Sequence, residues 1–210
     1  MACAICQLRR PRRFCPGVNG EICTLCCGAE REITVACPLD CPHLADARKH
    51  ERTEEPAPET LPNPAVEVSE ELLQENEALL SFLGGSLAEA ALETPGAVDF
   101  DLRDTLEALI RTYRTRESGI YYDSLPDNAI AARIYRQIEE RLARFRAEES
   151  ERLGISRTKD SAVLALLVFF QRVEFDRNNG RRRGRAFIDL LRSASPSSPA
   201  GHDSSPLLLP

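Results

Sequence analysis

The chain has 210 residues, 42% of them hydrophobic and 29% charged, with a formal net charge of −6. That is enough apolar matter to bury a core and too little for a protein lying wholly within a membrane. Length predicts one or two domains, and all eight cysteines fall between Cys3 and Cys41, so a Cys-dense head precedes a Cys-free body.

The opening MACAICQLRRPRRFC brings Arg9 before any apolar stretch, so it does not read as an export signal. The longest apolar run, Ala162–Phe170, would span about 14 Å as a helix, against a hydrocarbon core of about 30 Å. A cytoplasmic protein without a membrane span is expected. A reducing compartment favours metal thiolates over disulfides.

Residues 1–50 are the head. Two Cys-x2-Cys pairs, Cys3/Cys6 and Cys23/Cys26, precede a Cys-x3-Cys pair, Cys37/Cys41, and Cys15 and Cys27 complete the set. A Cys-x2-Cys turn lets two thiolates grip one ion from the same side, and a distant second pair closes the tetrahedron. Eight thiolates make two such shells. A segment this short cannot bury a sufficient core, so structural zinc, contributing of order 10–16 kcal/mol per site in small fingers, is expected to hold it together.

The preferred pairing is Cys3, Cys6, Cys23 and Cys26 at one ion, with Cys15, Cys27, Cys37 and Cys41 at the other. Adjacent Cys26 and Cys27 point different ways from the backbone and suit different ions. His43 is the reserve ligand, with His50 behind it. A single zinc with four spare thiols, an iron–sulfur cluster, disulfides, and a catalytic cysteine paired with His43 or His50 are the alternatives. Eight thiolates around two ions leave no open coordination position, so no enzyme is expected.

Arg9, Arg10, Arg12 and Arg13 lie between Cys6 and Cys15. A zinc ion with four thiolates is doubly negative, so these guanidinium groups read first as counter-charges donating to sulfur. Phosphate contact is the second reading.

Taken together, CAIC, FCP, EICTLCC and CPLDCPHL resemble the interleaved two-zinc fingers of the HIT and MYND type, of treble-clef form. They also resemble the Cys-rich N-termini of uncharacterised bacterial proteins. The resemblance spans residues 3–50, and Cys15 departs from it, with Val18 where a Cys-x2-Cys partner would stand. It implies a protein–protein adaptor more than a base reader.

Residues 51–67, beginning ERTEEPAPETLPNPAV, read as an acidic, Pro-rich, extended linker. They open a strongly acidic block: residues 51–100 carry twelve acidic side chains and one arginine.

Residues 68–192 read as a helical domain. Ser69 looks like an N-cap, Leu72, Leu79, Leu80 and Leu83 recur at helical spacing, and Gly84-Gly85 is expected to break the run before a short helix over 86–92. A helix near Asp99 follows, with Leu102, Leu106, Leu109, Ile110 and Tyr113 on one face. Another, from Asp127 to Ser150, carries Ile130, Ile134, Ile138, Leu142 and Phe145. The next, from Thr158 or Lys159 to Phe175, is apolar nearly all round and should be the central helix. A last short helix spans 184–191.

Before it, DRNNGRRRGRAF places Arg181, Arg182, Arg183 and Arg185 in one loop, a candidate anion or nucleic-acid contact. Tyr113, Tyr121, Tyr122 and Tyr135 read more readily as half-buried core than as a base-stacking surface. Residues 193–210 read as a disordered tail.

The expected fold is therefore a small zinc-stabilised N-terminal finger plus an all-α helical bundle. The expected function is a non-enzymatic zinc-binding adaptor with a protein partner. An RNA- or DNA-associated factor using the Arg-rich loops is the alternative.

Overall fold

The computed structural model describes residues 2–50, 61–119 and 121–194; residues 51–60 of the expected linker and 195–210 of the expected tail lie outside the described residues. The described residues are mostly helical.

The head begins with the Cys3–Cys6 turn and then a hairpin, β1 (Arg13–Cys15) antiparallel to β2 (Gly20–Ile22), with Cys15 opposite Gly20. Two short helices follow, α1 (Thr24–Glu30) and α2 (Pro42–Arg48). Proline at the first turn of α2 suits a position whose N–H has no helical partner. The buried cluster beside the hairpin consists of Ile22 and three cysteines, Cys3, Cys23 and Cys26, with Ile5 and further cysteines packed against it. Sulfur thus makes up most of this small core.

The body is built from α3 (Glu70–Glu75), α4 (Glu77–Glu93), α5 (Asp99–Glu117), α6 (Ala129–Leu153), α7 (Asp160–Arg177) and α8 (Ala186–Ala194). α5 packs along α7 and α6, and α4 packs on α8 and α6. Ser69 caps α3 as expected, its Oγ accepting the Leu72 N–H at 3.2 Å. Asn128 caps α6 by accepting from Ile130 N at 2.9 Å. Gly154, in the left-handed region at φ 79°, ends that helix. The stripes read from the sequence face inward: Leu102, Leu106, Leu109, Ile134, Ile138 and Leu142 are all buried. α7 is buried on most of its circumference between Val163 and Phe170, as a central helix must be.

The expected break at Gly84-Gly85 does not occur. α4 runs straight through both glycines, and the interruption lies earlier, at Asn76, where α3 ends. Gly84 instead lets two helices approach, because a Cβ there would stand 3.2 Å from the Phe170 ring. Tertiary packing overrides a weak local preference.

Two further contacts close the body. Asp99, fully buried, accepts from Phe187 N and Ile188 N at 3.1 Å each, and its own N–H donates to Gly184 O. One carboxylate thus satisfies the orphan N–H groups of α8, a helix far away in sequence. Residues 62–66 are tied to α7: Arg172 donates to Pro62 O, Asn63 O and Val66 O, and Asn63 Nδ2 donates to Gln171 Oε1. Val66 and Val68 pack against the core. No helix among the described residues is long and apolar enough to cross a membrane.

Candidate metal centre

Cys3 and Cys6 arrive on the N-terminal turn, and Cys23 and Cys26 on the entry to α1. Their four Sγ atoms all lie within 4.8 Å of one another. Cys23 is the N-cap residue of α1, its Sγ accepting the Cys26 N–H at 3.4 Å, while Cys3 Sγ accepts the Cys23 N–H at 3.2 Å. Backbone donors thus already point at two of the sulfurs, as they would at thiolates.

The protons on this set are unequally held. Burial pushes the Cys3 thiol up, but hydrogen bonds from the backbone of Cys6, Cys23 and Ile5 outweigh it and bring the thiol down to about 6. Burial and the neighbouring sulfurs push Cys26 up to about 12. Four such close thiolates repel one another, and a divalent cation removes that repulsion. The donors are soft, tetrahedral in number and free of carboxylate, so the set fits a metal ion of the zinc or iron–sulfur type.

The other four cysteines are less closely gathered: among the described residues, the first set is the one whose sulfur atoms all lie within 4.8 Å of one another. Cys15, Cys27, Cys37 and Cys41 line one small cavity together with His43. Cys15 ends β1, Cys27 lies on α1, and Cys41 is the N-cap residue of α2 without spending its sulfur on a cap bond. Gly17 makes this possible. A Cβ there would stand 2.6 Å from Val35 Cγ1 and 2.8 Å from Ala36 O, so only glycine lets the turn after Cys15 press against the segment leading to Cys37. Burial raises the Cys37 thiol; the Glu32 backbone opposes this by hydrogen bonding to it, and the Glu32, Cys15 and Cys41 charges raise it further. His43 lines the cavity, whereas His50 is exposed beyond α2 and does not.

Two of the four N-terminal arginines serve the sulfurs. Arg9 hydrogen-bonds Cys23, and the negative charge of Cys23, Cys6 and Cys26 holds its guanidinium more firmly protonated. Arg13 Nη1 donates to Cys27 Sγ at 3.6 Å. Each sulfur set thus has one guanidinium, in line with the counter-charge reading; Arg10 and Arg12 are exposed.

The Arg-rich loop meets the head. Arg181 Nη1 donates to Arg31 O at 3.1 Å. The backbone N–H groups of Arg183 and Arg185 donate to Glu32, the first to its carbonyl at 2.7 Å and the second to its carboxylate at 3.1 Å. The Arg185 side chain is half-buried, and Arg182 and Arg183 are exposed.

Glu32 has no signature in the sequence. It is fully buried, sits in the left-handed region at φ 52°, and also accepts from Arg48 Nη2 at 2.8 Å and Asn179 Nδ2 at 2.9 Å. Arg48 in turn pairs with Asp189 on α8. A hint lies in Leu39, an apolar residue beside Asp40 in the Cys37–Cys41 loop; it packs against the core of the body. Of the tyrosines, Tyr113 and Tyr135 are buried, and Tyr121 and Tyr122 are exposed.

No known protein family, characterised protein or solved structure matches this chain.

Proposed function

We propose that this is a cytoplasmic, non-enzymatic zinc protein whose head is a two-zinc, treble-clef-like interaction module. The observation that carries the reading is the convergence of Cys3, Cys6, Cys23 and Cys26 within 4.8 Å. Those residues would hold one ion, and Cys15, Cys27, Cys37 and Cys41 the other, with His43 in reserve. Zinc here would supply a cross-link, replacing the hydrophobic core that so short a segment lacks. The order of cysteine turn, hairpin and helix supports the resemblance to HIT- and MYND-type fingers.

An adaptor role is supported by the apolar side chains that the head leaves in solvent. Leu8 is 85% exposed and Leu25 62% exposed, with Phe14 also exposed and Arg10 and Arg12 nearby in sequence. These side chains are the ones we take to meet a partner protein.

Elemental analysis with thiol counting on anaerobically purified protein tests the metal: two zinc ions and no reactive thiols are expected, and iron or no metal refutes it. For the adaptor, Leu8→Asp with Phe14→Asp should abolish capture of whatever protein the wild type retains, with both ions kept. Retention on immobilised nucleic acid that falls steeply with salt would instead favour the RNA- or DNA-associated alternative.

A further inference from the structure

We propose that filling of the second sulfur set and docking of the head on the helical body form one linked equilibrium, so that losing that ion alone releases the Arg181–Arg185 loop from the head. This rests on the reading that Cys15, Cys27, Cys37 and Cys41 hold a cation.

Three connections run from those sulfurs to the body. The first passes through Glu32, in the turn closed by the Arg31–Val35 bridge just before Cys37; its carboxylate takes Asn179 Nδ2 and Arg185 N, and its carbonyl takes Arg183 N. The second passes through α2. Cys41 stands at its N-terminus and Arg48 in its last turn, where the guanidinium bridges Glu32 of the head and Asp189 of α8. The third is Leu39, carried between Cys37 and Cys41 and packed against the body's core.

The first sulfur set is tied to the body less directly, through α1, which carries Cys26 and ends at Arg31, whose carbonyl takes Arg181 Nη1. Cys3, Cys6, Cys23 and Cys26 sit in the small cluster with Ile5 and Ile22, against which Cys15 and Cys27 also pack. The two ions therefore have different tasks: one assembles the finger, and the other shapes the segment from Glu32 to Arg48 that grips the body. Without the second cation, four thiols again compete for that cavity. Glu32 and α2 then keep their contacts with Asn179, Arg183, Arg185 and Asp189 but lose the anchors at Cys37 and Cys41 that set where the segment lies.

Linkage is reciprocal, so weakening the grip from the body's side must weaken the second ion's affinity. Asn179→Ala combined with Asp189→Asn removes two partners of the grip without touching a residue of the head. The protein, loaded with zinc, is equilibrated with a graded chelator and pulsed with N-ethylmaleimide, and mass spectrometry of its peptides shows which cysteines have been freed. The expected result is release of Cys15, Cys27, Cys37 and Cys41 at a chelator level at least about fivefold lower than in the wild type, the lower end of usual coupling between sites. Cys3, Cys6, Cys23 and Cys26 should respond as in the wild type.

Equal release of the second set in both proteins overturns the linkage, as does equal weakening of both sets. A wild type that binds a single zinc removes the second-ion reading itself, and the stoichiometry tells that outcome apart. Should the double variant lose helical content by circular dichroism, Asn179→Ala alone carries the test, with the same two outcomes.

Discussion

Replacing Glu32 by glycine sets two physical effects of opposite sign against each other. At φ 52° a side-chain-bearing residue is strained, and glycine would relieve on the order of 1 kcal/mol. The same change removes a buried carboxylate that accepts from Arg48 at 2.8 Å, Asn179 at 2.9 Å and Arg185 N at 3.1 Å. Hydrogen bonds to a charged group are each worth roughly 1.5–3 kcal/mol, though neighbouring bonds do not add fully. Arg48, with its side chain only 14% exposed, would keep Asp189 alone as its ionic partner. Loss outweighs relief, and the net weakening of the head's docking comes to about 3 kcal/mol, or about a hundredfold in the docking equilibrium.

The assay is hydrogen exchange at the Arg183 amide. That N–H donates to the Glu32 main-chain carbonyl, which glycine retains, so the same bond reports docking in both proteins. Its protection should fall about a hundredfold, while amides in the middle of α7 keep theirs. Undiminished protection at Arg183 would mean that backbone strain, not the carboxylate, governs the contact, and the account of Glu32 as the clasp would fail.

Three other outcomes follow from the geometry. Gly17→Ala should drive a methyl into Val35 and Ala36, displacing Cys15 from Cys37; metal analysis should find one zinc fewer, and an unchanged count refutes the close-approach argument. Gly85→Ala, in mid-α4 with nothing within 4 Å of the new methyl, should raise stability by about 1 kcal/mol in thermal unfolding; destabilisation would contradict the open surface there. Asp99 is pushed up to about 6 from 3.8 by burial, against hydrogen bonds from the backbone of Phe187, Ile188 and Ala186 and with the Glu174 charge adding to the rise. A raised carboxyl contributes stability that is complete below about 3.8 and lost as pH climbs through about 6. Denaturant titrations should therefore show the wild type gaining on Asp99→Asn by on the order of 3 kcal/mol between pH 7 and pH 4, and a difference that shrinks on acidification would show that the helix N–H groups win over burial.

Much of this protein is legible as a one-dimensional pattern. Apolar side chains every three to four residues declare α5, α6 and α7 because a helix presents them on one face wherever it packs. Ser69 announces a helix start because a cap acts on N–H groups two or three positions away, whereas the cap at Asn128, one residue past the expected start at Asp127, emerged only from the structure. The grouping of Cys3 and Cys6 with Cys23 and Cys26 follows from short turns and from the opposed directions of neighbouring side chains.

Other features have no local signature. Gly84-Gly85 carries the mark of a helix break, yet α4 continues, since what that glycine accommodates is the ring of Phe170, remote in sequence. Asp99 looks like an ordinary first-turn acid of α5, and only the fold reveals that it caps α8. Glu32 reads as one more surface acid, and the Arg181–Arg185 run as a free basic patch, until packing brings them together. Periodicity and ligand spacing are properties of neighbouring residues, so the chain states them outright. A buried polar group's partner is whichever donor the folded backbone delivers to it, and that choice exists only once distant segments have met.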